Sequence, residues 1–133
     1  MDHLAEFSNV SVNRELGFQL LGSSDGVCRV SMPATARHLQ GEGRIQGGIL
    51  AALADTAAVY LLLPRLGEHQ TCTSIEFKLN FLGPARAGAG DLVATGRVKK
   101  QGRTVAVCTV DVEQAGAAIA TGLFTYLFLE RSR

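Results

Sequence analysis

Asp55 is the only charged residue in the stretch from 46 to 64, QGGILAALADTAAVYLLLP. Burial disfavours the charged form of a carboxylate and raises its pKa, so an acid inside an apolar run is neutralised, paired or held for chemistry. No Lys or Arg lies one helical turn away to pair with it. Asp55 is therefore the candidate general base or nucleophile, set against the plainer reading of a capping or solvent-facing acid. Gln40 and Gln46 flank a glycine-rich loop just ahead of the run, where their amides either meet a ligand or stand at the surface. Lys99, Lys100 and Arg103 gather at a turn, and Arg86 follows Gly83-Pro84. Such cations bind anions or are simply solvated.

Other chemistry-bearing residues fit no pattern. His3, His38 and His69 lie outside the run without metal-site spacing. Cys28, Cys72 and Cys108 are an odd count without C-x-x-C, so they encode neither a disulfide framework nor a zinc site. They read as small hydrophobes in a reducing cytoplasm. Gly41-Glu42-Gly43 is too short for a phosphate or dinucleotide loop.

The elements that position these residues follow from periodicity. The 133 residues make one domain, 1–133. At 47% hydrophobic and 19% charged, the chain is apolar for a soluble monomer, which implies that another subunit covers part of it. A net charge of +1 and the absence of Trp offer nothing to nucleic acid. The N-terminal MDHLAEFSNV has acids where a signal peptide carries positive charge, so the mature chain is expected to begin near Met1 and to stay in the cytoplasm.

A helical turn is expected over 2–8, then strands over 15–22 and 27–32 around Ser24-Asp25-Gly26, then a loop over 33–45. The run from 46 to 64 is a helix apolar nearly all round, hence buried on most sides. It is shorter than the roughly 20 apolar residues of a membrane span, opens on two glycines and holds an acid, so no membrane is expected. Four strands follow over 71–82, 91–100, 104–113 and 118–129, read as an antiparallel meander. In the first, Ile75, Phe77, Leu79 and Phe81 share one face, and Ser74, Glu76, Lys78 and Asn80 the other. Ser74 then reaches a buried site only at a strand end or a bulge. The simplest packing is an α+β domain, an antiparallel sheet wrapped around one long central helix. Its open edge and face predict a homodimer, and beyond it a tetramer.

GGILAALAD (47–55), SIEFKLNFLGPARAG (74–88) and KKQGRT (99–104), in this order, resemble the hotdog-fold acyl-CoA thioesterases of the phenylacetyl-CoA, or PaaI-type, branch. The similarity runs from Gly17 to Leu129. It implies hydrolysis of an aryl or medium-size acyl-CoA to free acid and CoA, with no cofactor beyond the CoA of the substrate and no metal. Asp55 falls on the family's catalytic carboxylate, and Gly47 on the backbone N–H that polarises the thioester carbonyl. Gln40 matches a polar side chain before the helix, and Ser74 a serine that helps hold the attacking water. Lys99, Lys100, Arg103 and Arg86 are candidates for the phosphates of CoA.

Gln46 departs from the pattern, because the family usually has His there, as H-G-G. An amide donates a hydrogen bond but does not exchange a proton near neutral pH. A thioester releases a thiolate whose parent pKa is roughly 8.5, so protonating it is optional. Leu50, Leu53 and Ala57 with Phe77 and Phe81 are expected to line the acyl pocket. Eight positions of one helix separate Gly47 from Asp55, roughly 12 Å along the axis, too far for one thioester carbon to meet both. The active sites are therefore expected to be shared across the dimer, two per dimer. The alternative is a non-catalytic acyl-CoA binding or sensing domain, motivated by the missing His. A dehydratase needs a His paired with the acid, and none lies near Gln46.

Overall fold

The structure, a computed structural model, describes residues 2–131. Its main sheet has six antiparallel strands. β1 (Gln19–Ser24) and β2 (Val27–Met32) form a hairpin turning on Asp25 and Gly26, both at positive φ. Helix α1 (Ser11–Leu16) precedes β1, so the first strand starts later than expected from periodicity. The buried Asn13 holds this turn, its Nδ2 donating to the Phe7 carbonyl at 2.9 Å and to the Tyr60 hydroxyl at 3.3 Å. The segment expected to be a plain loop carries a small ribbon, β3 (Leu39–Gly41) with β4 (Arg44–Ile45), turning on Glu42 and Gly43.

Helix α2 (Gly47–Leu62) follows, then β5 (Gln70–Phe81), β6 (Leu92–Gln101), β7 (Val105–Gln114) and β8 (Ala117–Glu130). The sheet order is β1-β2-β6-β7-β8-β5. β6 to β8 form the expected meander, but β5 pairs with β8 rather than β6 and takes the far edge. Two local features account for that. Phe77 of β5 stacks on Phe124 of β8, ring centres 5.0 Å apart. Gly122 of β8 has no Cβ, and one built there would lie 2.1 Å from the Lys78 carbonyl oxygen. β5 closes on β8 because that position is empty.

α2 lies across β2, β6 and β7. The small residues Ala54, Ala57 and Ala58 face the sheet with Leu50, Leu53 and Leu61. Gly96 of β6 lets the two backbones approach, since a Cβ there would be 3.3 Å from the Ala57 carbonyl oxygen. The opposite stripe of α2, Ala51, Ala52, Asp55, Thr56 and Val59, is only partly covered. α2 with its final turn, Gly47–Arg65, is long and apolar enough by composition to cross a bilayer, yet here it is the helix on which the sheet packs. Asp55 is accordingly half-buried, not enclosed on most sides.

A β-bulge in β5 overturns the expected strand parity. Ser74 pairs with Tyr126 and Glu76 with Thr125, leaving Ile75 as the extra residue. Directly opposed residues share a face. Ser74 is thus on the helix side with Tyr126, as Phe77 is with Phe124, while Glu76, Lys78 and Asn80 face outward. Because α2 stops short of β5, Phe77 and Phe81 are 49% and 54% exposed in the single chain.

Gly122→Ala should cost about 1–3 kcal/mol by pushing β5 off β8, a loss read as a lower denaturation midpoint at unchanged m-value.

Candidate active site

Two half-sites lie at different points along α2. The first is at its N-terminus. A cleft of about 430 Å³ is lined by Gln40, Arg44, Gly47, Leu50 and Phe81 among others, so the loop amide, the helix start and the edge strand meet there. Gly47 is the first helical residue, where backbone N–H groups have no partner within the helix and the macrodipole favours negative charge. Phe81 lies over it, 3.2 Å from where a Cβ on Gly47 would be. Of the expected acyl-pocket residues, Leu50 and Phe81 line this cleft; Leu53 and Ala57 are buried against the sheet instead.

Gln46 is the N-cap of α2. Its Oε1 accepts the Ile49 N–H at 2.9 Å, leaving the NH₂ half of the amide as the donor side. Gly48 makes this possible, since a Cβ there would fall 2.7 Å from that same Oε1. His38, assigned no role by its spacing, anchors the loop behind the cleft. Its Nδ1 accepts the Thr35 N–H at 3.2 Å, which places the proton on Nε2 for donation to the Leu16 carbonyl at 2.9 Å. The His38 carbonyl in turn accepts the Gln46 N–H at 2.9 Å.

The second half-site is Asp55, at the middle of α2 and outside the cleft. Its Oδ1 accepts a hydrogen bond from the hydroxyl of Tyr126, a fully buried residue of β8. The partner is thus a phenol, not a cation. Tyr126 lies in the last expected strand, over 118–129, where residue type and spacing gave it no role; the pairing with Asp55 depends on which face of β8 turns toward α2. Ser74 sits beside Tyr126 in the register, on the same face.

The expected cations divide between the two ends of the sheet. Arg86 is bridged to Arg44 at the cleft end, its loop fastened by the buried Gln114, whose amide exchanges hydrogen bonds with the Arg86 backbone at 3.0 and 2.8 Å. Lys99, Lys100 and Arg103 lie at the β6–β7 tip, by the C-terminal end of α2, where Arg65 donates to the Gln101 side chain at 2.6 Å. One chain therefore does not bring all four together. Arg44 joins Arg86 as a cleft-side cation that its sequence position did not reveal.

The thioesterase superfamily profile matches residues 42–120, more than half of the chain. The chain belongs to the thioesterase superfamily. The match takes in α2 with Gly47 and Asp55 and the strands β5, β6 and β7, and it makes this protein a thioester hydrolase on the hotdog fold. The thioesterase is 36% identical over 124 residues to a Halobacterium salinarum protein assigned to the esterases, covering 82% of this chain and 80% of the other. It is 31% identical over 110 residues to the acyl-coenzyme A thioesterase PaaI of Escherichia coli, covering 81% and 74%. The solved structure of E. coli PaaI superposes with a TM-score of 0.86 at 26% identity, over 96% of this chain and 91% of that one. These relationships place the thioesterase in the PaaI-type branch.

Burial keeps the thiols of the thioesterase protonated. Burial, then the Asp55 charge, raises Cys72, while burial pushes Cys108 up to about 12 and Cys28 up to about 11 from the ordinary 9.0. The native state thus binds these protons more tightly than the unfolded chain, and the stability they carry is whole below pH 9 and lost as pH rises through 11 to 12. Denaturation midpoints should fall across that window, less steeply in Cys108→Ala than in the parent once each curve is referenced to its own value at pH 8.

Proposed function

We propose that the protein hydrolyses an aryl or medium-size acyl-CoA to free acid and CoA at sites shared between two subunits. Asp55 acts on water, or directly on the thioester carbon, while the Gly47 N–H of the neighbouring subunit receives the developing oxyanion. The observation that carries this reading is the half-buried carboxylate of Asp55 facing the uncovered side of α2, beside an edge strand with exposed Phe77 and Phe81. An apolar edge of this kind is covered by a second copy, and antiparallel pairing of two β5 strands sets the Gln70 end of one against the Phe81 end of the other. Such pairing brings a partner's cleft toward Asp55 and a partner's Lys99, Lys100 and Arg103 toward the Arg44–Arg86 end. Gln40 and the donor half of Gln46 then serve the carbonyl side, and Ser74 the attacking water.

The thiolate leaves without help from an acid, so glutamine in place of histidine is compatible with turnover. Written this way, the reaction uses no metal or resident cofactor. The outer face of the sheet, with Leu123, Leu129 and Val105 exposed, supports pairing of dimers into a tetramer. Free thiols at 28, 72 and 108 fit a cytoplasmic setting.

Thiol release from a panel of acyl-CoAs tests the chemistry: Asp55→Asn should lower kcat about 10²–10⁴-fold. Saturable binding of acyl-CoA by the parent protein without thiol release would leave a binding domain instead. Sharing of the site has its own test. Gly47→Pro deletes the N–H at a helix position that tolerates proline, after a residue already extended at ψ 133. Mixed dimers of Asp55→Asn with Gly47→Pro chains should recover about half of the parent activity per dimer, since one of the two sites is then intact. Inactive mixed dimers would rule sharing out.

A further inference from the structure

Tyr126 is a tyrosine with no solvent exposure whose hydroxyl is placed over one turn of α2. It donates to Asp55 Oδ1 and also lies 3.4 Å from the Asp55 backbone carbonyl. Burial, then the hydrogen bond and the charge of Asp55, push the phenol well above its usual 10, so its proton stays in place and the group is a donor only. No other partner is available to it: β8 presents it to the helix from beneath, between the buried rings of Phe124 and Phe128.

We propose that Tyr126 is the positioning residue for the Asp55 carboxylate. This rests on the reading of Asp55 as the group that attacks or activates water. A carboxylate on a helix rotates about two side-chain bonds, and on the uncovered side of α2 little else restrains it. The phenol removes that freedom by occupying Oδ1, and leaves Oδ2 as the oxygen that meets water or the thioester carbon. Rotating Asp55 away would leave the buried hydroxyl only the long bond to the Asp55 backbone carbonyl, at 3.4 Å. Ser74 lies opposite Tyr126 in the register, on the same face.

The test uses the full chain and the acyl-CoA that the thiol-release panel finds fastest. Tyr126→Phe keeps the ring and deletes the donor. It should lower kcat on the order of ten- to a hundredfold with KM changed less than about twofold. Because Tyr126 acts through Asp55, Asp55→Asn/Tyr126→Phe should be no slower than Asp55→Asn alone. Site-specific replacement of Tyr126 by 3-fluorotyrosine makes the phenol more acidic and a stronger donor. It should change kcat at least about twofold with KM unmoved and leave the residual rate of Asp55→Asn unchanged, and it decides the matter where Tyr126→Phe does not fold. Parent-like kcat in Tyr126→Phe, or an unmoved kcat in the fluorinated protein, with Asp55→Asn inactive, overturns the role of Tyr126 alone. Parent-like turnover in Asp55→Asn overturns the reading beneath it.

Discussion

An ionisable group in an apolar helix is tolerated only where the packing over that helix ends. In this protein the end of the packing is set by how tightly α2 is drawn onto one part of the sheet. Ala54, Ala57 and Ala58 on the helix and Gly96 on β6 bring the two backbones close, and that approach fixes the helix over β2, β6 and β7. β8 is left at the rim and β5 beyond it. Asp55, on the far side of the helix from Gly96, accepts a hydrogen bond from the hydroxyl that β8 presents there.

The same constraint leaves an apolar surface at the edge of the sheet. A strand placed beyond the reach of its helix exposes its inner face, which here bears Phe77, Leu79 and Phe81. Leaving that face to solvent is unfavourable at roughly 25 cal/mol per Å² of apolar area.

At the other end of α2 the local chemistry is economical. Gln46 closes the helix with its carbonyl oxygen while the amine half of its amide stays on the donor side, and this works only because residue 48 is glycine. A histidine in that place could exchange a proton with the leaving group. The glutamine gives up that option, which a thiolate does not require. His38 works from behind, tying α1, the loop and the cap together without touching the cleft.

Much of this was legible in the sequence because it rests on local periodicity and on residue types at fixed spacing. One apolar run with one acid, glycines at its start, alternating strands and Asp-Gly turns determined the α+β class and the central helix, and marked Asp55 and Gly47 as candidate positions on it. Pairing order and parity were not legible, because both depend on contacts between segments far apart in the chain. β5 pairs with β8 through a missing Cβ at Gly122, and one inserted residue at Ile75 turns Ser74 to the helix side. Only the tertiary structure could decide that Tyr126 holds Asp55, that Leu53 and Ala57 are core, and that Arg86 lies apart from Lys99, Lys100 and Arg103, since residues 71 apart in sequence meet through packing alone.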